Sequence, residues 1–161
     1  ADMLPIGRLS IDDRPHGPER QSRFTWNEHR TMMTLWCMAR SPLMMGGDFP
    51  TSPEKSLAFL KNPEVLAVNQ NSADNRQVFR DEDHAIWIAT EPATGDRDLA
   101  LFNLEDDIHD VTFDLEWEGL RGRFKARDLW KREDAGIVEE RLTRKLGAHD
   151  AALFRLSPAG R

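Results

Sequence analysis

Five histidines, one cysteine, several acidic pairs and five tryptophans are the side chains of this 161-residue chain that could hold or transform a ligand. His16, His29, His84, His109 and His149 never stand at i, i+2 or i, i+4, the spacings that let two imidazoles share a metal, so they read as surface or capping residues. Cys37 is alone, which excludes an intramolecular disulfide framework and a cysteine-based zinc site. Placed within an apolar helix, it reads as an inert buried thiol. Asp48 follows Gly46-Gly47, but no longer glycine pattern or lysine accompanies it, so a strand-end turn is expected and not a phosphate loop. Asp12-Asp13 and Glu105-Asp106-Asp107 read as solvated turns, because neither carries the calcium-loop pattern. Trp87, Trp117 and Trp130 could stack on a sugar ring, yet at alternating strand positions core packing is the expectation. None of these spacings amounts to a catalytic motif.

The elements that must position these residues fall into two unlike halves. From Ala1 to about Asn71 the pattern is strand, helix, strand, helix, the rhythm of a parallel sheet with covering helices. Met3-Leu4-Pro5-Ile6-Gly7 reads as the end of a buried strand, and Arg8 to Arg23, rich in Pro, Asp and Gly, as a loop. Thr25-Trp26-Asn27-Glu28 is a capping box opening a helix that runs to about Arg40. That helix is apolar around more than half its circumference, too much for one with a wet flank. Ser41-Pro42 stops it, and a short buried strand follows over 43–48. A second helix is capped by Ser52 or Thr51, with Pro53 at its first position and a break at Asn62-Pro63.

From about Gln77 the rhythm changes to short, closely spaced strands over 77–80, 85–90, 99–104, 111–117, 123–128 and 151–156, which implies antiparallel pairing in a sandwich or small barrel. Val111, Phe113, Leu115 and Trp117 fall on one face of the fourth of these. Between Leu129 and Gly147 a strand around Val138–Leu142 is expected.

With 22 Lys+Arg against 28 Asp+Glu the net charge is −6, and no basic run provides the positive face that nucleic acid requires. No apolar stretch approaches the ~18 residues of a membrane span, and the opening Ala-Asp-Met-Leu-Pro has neither the basic nor the apolar region of a signal peptide. The chain does not begin with Met and so reads as the inside of a longer polypeptide. Hydrophobic residues at 39% allow a real core. Composition and spacing support a domain of mixed class and nothing sharper.

Longer stretches carry a resemblance. Ala1–Gly7 is similar to the segment closing strand seven of the catalytic barrel in family 27 glycoside hydrolases, the α-galactosidases. Thr31 to Asp48 resembles that family's helix seven and strand eight, and Leu57 to Gln70 its helix eight and the exit from the barrel. The second half matches more loosely, through Leu99–Leu104 and Arg127–Trp130, where the family carries an antiparallel β-sandwich. The fold class implied is α/β plus all-β: the C-terminal part of a (β/α)8 barrel over residues 1–74, then an antiparallel β-sandwich over 75–161.

The resemblance implies a retaining hydrolase that releases terminal α-linked galactose from oligosaccharides or glycoconjugates, needs no cofactor or metal, and is exported to the periplasm or beyond the cell. Its two reactive aspartates belong to barrel strands four and six, on polypeptide upstream of this chain, so no residue here takes a catalytic role. The partners implied are an α-galactoside and that upstream barrel portion; self-association is left open. The family's pocket-lining Asp-Met maps onto Asp2 and Met3, the carboxylate accepting or orienting hydrogen bonds to sugar hydroxyls and the methionine forming an apolar wall. The alternative for Asp2 is a plain loop cap. Arg8–Arg23 is longer than the minimal family loop and would shape specificity toward the aglycone, so a related α-N-acetylgalactosaminidase or β-L-arabinopyranosidase stays open. So does a non-catalytic sugar-binding or assembly module built on the sandwich. Two βα units cannot close a barrel, so the first half by itself is expected to show unpaired strand edges and loose packing.

Overall fold

The computed structural model describes residues 3–10 and 18–160. Thr25 opens the first helix, α1 (Trp26–Met38), as the capping box predicts: its hydroxyl accepts from the Glu28 amide at 3.2 Å and its own amide donates to the Glu28 carboxylate at 2.6 Å. Before it come β1 (Met3–Leu4), β2 (Arg8–Ser10) and β3 (Arg20–Gln21); after it β4 (Met44–Met45) runs parallel to β1. The described ends of the Arg8–Arg23 segment are therefore not all loop, since β2 and β3 pair antiparallel.

The second helix is split where Asn62-Pro63 predicts, into α2 (Glu54–Leu60) and α3 (Pro63–Asn71). Its cap differs from expectation. Pro53 itself occupies the cap position, without a side-chain hydrogen bond. Ser52 is buried and employed elsewhere, donating to the Asp48 carbonyl at 2.7 Å and accepting from the Arg8 amide at 3.3 Å. Asn62 caps α3, accepting from the amides of Glu64 at 3.1 Å and Val65 at 3.4 Å.

The second half holds β5 (Ala73–Arg80), β6 (His84–Thr90), β7 (Arg97–Asn103), β8 (His109–Asp114), β9 (Phe124–Asp128), β10 (Glu133–Val138), β11 (Arg141–Leu146) and β12 (Ala151–Pro158). Six of these make an antiparallel sheet ordered β10-β9-β12-β7-β6-β5; β8 and β11 pair separately across from it. Two expectations are corrected here. The 111–117 strand ends at Asp114, because the chain closes into a 3-10 turn over Leu115–Glu118, in which the Gly119 amide donates to the Glu116 carbonyl at 3.0 Å and the Leu120 amide to the Leu115 carbonyl at 3.0 Å. Gly119 then leaves that turn at a φ of +65°. Trp117 is thereby carried out of the core face to 50% exposure, lying flat against Phe79. The strand expected around 138–142 is instead the reversal between β10 and β11, which pair in different sheets, β10 with β9 and β11 with β8.

The centre of the large sheet, β6, β7 and β12, is buried on both faces, which is why these strands read as nearly continuous apolar runs. Ile86, Ile88, Leu99, Leu101, Phe154 and Leu156 meet Val111, Phe113, Leu115, Leu142 and Leu146 inside the sandwich. The opposite face presents small residues, Ala85, Ala89, Ala100 and Ala151, to α1 and α3. Small side chains there let the helices approach closely, and Met33, Cys37, Met38, Val65 and Val68 complete that second core at 0–1% exposure. The all-round apolarity of α1 has this origin: the helix lies between the β1–β4 pair and the large sheet. The two halves are further tied by Asn62, which donates to the carbonyls of Leu129 at 3.0 Å and Trp130 at 3.3 Å, and by the two-pronged Arg127–Glu64 pair.

Candidate functional site

In β1 and β4 the register sets Met3 beside Met44 and Leu4 beside Met45. Residues in register on adjacent strands point to the same face, and successive residues to opposite faces. Leu4 is 2% exposed and packs toward the helices with Met45, whereas Met3 and Met44 are open on the other face at 55% and 57%. A parallel pair backed by helices on one side thus presents two adjacent thioether side chains on the other. Phe49, also exposed, follows β4 by four residues.

Beyond the strand ends the backbone is knitted tightly. The Gly46 amide donates to the Leu4 carbonyl at 2.9 Å and the Asp48 amide to the Arg8 carbonyl at 2.8 Å. Any β-carbon at Gly47 would stand 2.6 Å from the Arg8 oxygen, so glycine is what lets the two segments run this close. The Asp48 carboxylate is turned to its own loop, accepting from the Thr51 amide at 3.0 Å and from the Thr51 hydroxyl. This is the strand-end turn that the sequence leads one to expect.

The other candidates are placed as follows. Met3 is described above; Asp2, His16 and Asp12-Asp13 lie outside the described residues. His29 is buried on α1 among the rings of Phe24, Trp26 and Phe59, with its Nε2 at 2.8 Å from the Ser22 hydroxyl. Burial pushes its pKa below the usual 6.5, the nearby Pro5 carbonyl opposing in part. Burial also pushes the Cys37 thiol up to about 12, which makes it unreactive at neutral pH. His84 and His109 stand 5.6 Å apart, and His149 pairs with Asp106 at 2.8 Å. Among the described residues no three His, Cys, Asp or Glu side chains converge on a possible metal. Trp87 is half-buried against the helix-side core, and Trp130 stacks on Phe59 at 4.5 Å.

Met44, in register with Met3 and equally exposed, is a candidate that the sequence reading passed over. Its signal was available: like Met3 it directly precedes a core residue at the end of a short strand.

What this arrangement can do is bind. It offers an apolar wall and a rigid rim. Comparison with known proteins gives the setting. Residues 81–156 match the alpha galactosidase C-terminal beta sandwich domain. Over 161 residues, α-galactosidase D of Emericella nidulans is 30% identical, covering 97% of this chain and 22% of that protein. The α-galactosidase of Coffea arabica is 29% identical over 162 residues, covering 98% of this chain and 39% of that one. A family 27 β-L-arabinopyranosidase from Geobacillus stearothermophilus superposes on 99% of the chain with a TM-score of 0.92 and 44% identity, over 37% of its own length.

The chain belongs to the α-galactosidase-like glycoside hydrolases of family 27. Its fold class is the C-terminal part of a (β/α)8 barrel followed by an antiparallel β-sandwich. The family 27 chain spans less than half the length of these relatives. In a (β/α)8 barrel the helices pack outside and ligands meet the C-terminal strand ends. The Leu4 face of the β1–β4 pair is thus the outer, helix-covered one, and the Met3–Met44 face is the inner one.

Proposed function

We propose that residues 1–74 supply the last two βα units, and residues 75–161 the sandwich, of a retaining glycosidase that releases terminal α-linked galactose. Asp2 and Met3 line its sugar pocket, and Met44 extends the apolar wall. The observation that carries this reading is the register of Met3 beside Met44 on the inner face, with both left uncovered. An apolar wall at that place meets the C–H face of a pyranose, while a carboxylate at position 2 accepts its hydroxyls. The sandwich acts by fixing α1 and α3 from behind, so the strand mouth is held by two cores and not one.

In the retaining reaction one carboxylate attacks the anomeric carbon as a carboxylic acid protonates the departing oxygen. Water then releases the sugar from the covalent intermediate, with the second group acting as base. The two carboxyls must lie about 5–5.5 Å apart across the sugar. Both are supplied by polypeptide outside these 161 residues, and no residue of the chain takes either part.

A second reading is favoured by one specific observation. Identity is 44% with the Geobacillus β-L-arabinopyranosidase but 30% and 29% with the two α-galactosidases. β-L-Arabinopyranose has the ring stereochemistry of α-D-galactopyranose with hydrogen in place of the exocyclic hydroxymethyl group. The same pocket therefore serves either sugar, according to whether that group finds room.

The deciding experiment compares kcat/KM of the full-length protein for the nitrophenyl glycosides of α-D-galactopyranose and β-L-arabinopyranose, with the 161-residue chain assayed alongside. Turnover by the full-length protein and none by the chain is expected. Activity from the chain alone refutes the placement of the acid pair, and inactivity of the full-length protein on both glycosides favours a non-catalytic sugar-binding module.

A further inference from the structure

We propose that the cleft where α1 and α2 meet the sandwich is a ligand site for an acidic saccharide, a sugar bearing a uronate carboxylate. The cleft has a volume of about 300 Å³, at the lower end of the range of about 300–1,000 Å³ typical of small-molecule sites. None of Met3, Met44 and Asp48 lines it, so the inference stands whether or not the reading of the strand mouth holds.

One wall is aromatic and preorganised. Trp130 and Phe59 stack at 4.5 Å with their planes 14° apart, and Trp26 meets Phe59 edge-on at 5.7 Å. The Trp130 indole is pinned by its Nε1–H, which donates at 2.8 Å to the hydroxyl of fully buried Thr34. Rings held this way offer a rigid apolar surface to the C–H face of a pyranose at little entropic cost.

The rest of the lining is charged, and unevenly so. Arg30, Lys55, Lys131 and Arg144 stand against only Asp128 and Asp150 in the lining, so cations outnumber anions by two in a chain whose net charge is −6. Both carboxylates are already neutralised: Arg30 grips Asp150 at 2.7 and 2.9 Å, and Arg144 reaches Asp128 at 3.3 Å. Lys131 leans on exposed Glu133 at 3.4 Å. Lys55 meets no carboxylate among the described residues, and its ammonium rests 4.0 Å from the centre of the Trp26 ring. A positive cleft with an aromatic wall draws an anion that also carries a ring. The spare lone pairs of Asp128 and Asp150 suit sugar hydroxyls but repel a compact, multiply charged ion. A uronate satisfies both conditions, because its single charge projects from the edge of a hydroxylated ring.

The test is isothermal titration of the full-length protein with trisaccharides of glucuronate, mannuronate and guluronate, each beside its carboxyl-reduced counterpart. At least one uronate is expected to bind about threefold more tightly than its reduced form, and K55Q to lose about that factor, the worth of one partly exposed ion pair. Lys55 is exposed, so an unchanged unfolding midpoint checks that the variant is intact, and Lys55→Glu gives a second readout. The proposal is overturned if no uronate exceeds its reduced counterpart, if both variants bind like the wild type, or if sulfate displaces the uronate at equal concentration.

Discussion

Gly47 lies against the Arg8 carbonyl, where a β-carbon would come within 2.6 Å of the oxygen and 3.0 Å of the Ile6 oxygen. The atoms in the way are backbone, and the Asp48 amide donates to the same Arg8 carbonyl at 2.8 Å. Gly47→Ala therefore has to push the strand-mouth segments apart, at a cost of about 1–3 kcal/mol. A lowered Tm is expected; an unchanged one would mean that the rim yields freely.

Met3 contributes only an apolar surface on the reading proposed here, so its loss should weaken substrate binding and leave the chemical step nearly intact. For Met3→Ala in the full-length protein, KM is expected to rise about tenfold, the scale of a lost apolar pocket contact. A fall in kcat with KM unchanged would contradict the assignment.

Asn62 performs two tasks, capping α3 through its oxygen and tying β9 to the helices through its nitrogen. Asn62→Ala removes a cap worth about 0.5–2 kcal/mol and leaves the Leu129 carbonyl without this donor. The denaturation midpoint should fall further than for Glu64→Gln, which disturbs only a surface-facing pair.

His29 sets a pH dependence whose sign follows from its burial. Folding favours the neutral ring, so as pH falls through 6.5 the unfolded chain takes up protons first. The stability present above that pH is lost progressively toward the lower folded-state value. His29→Gln should show a smaller loss between about pH 7.5 and 5 than the wild type; equal losses would place the titration elsewhere.

Hydrogen exchange on the 161-residue chain by itself reports on the β1–β4 pair, which has no further strand beside it among the described residues. Amides at 44–46 should exchange well before those at 99–103. Matching protection would mean that the incomplete barrel portion is as firmly closed as the sandwich.

Much of this fold was readable locally. Thr25 and Glu28 stand three apart before an apolar run, and Asn62-Pro63 interrupts a helix, so cap and break needed no knowledge of the rest of the chain. Where reading failed, a competing hydrogen bond had overruled the apparent pattern. The 111–117 segment alternates without interruption, yet the Leu115 carbonyl accepts from the Leu120 amide at 3.0 Å and the chain leaves the strand for a turn. Ser52 looks like a helix cap, but the Arg8 amide and the Asp48 carbonyl claim its hydroxyl.

The candidate sites divide in the same way. The types of residue at 2 and 3, and their likeness to a known pocket rim, are written in seven consecutive residues. That Met44 stands beside Met3 depends on parallel pairing across some forty residues. The aromatic and cationic cleft gathers Trp26, Phe59, Trp130 and Arg144 from four separated segments. Local order settles caps, breaks and alternation, because those forces act within a turn or two of the chain. Which strands become neighbours, and which side chains are left uncovered between them, is decided only when separate apolar faces are buried against one another.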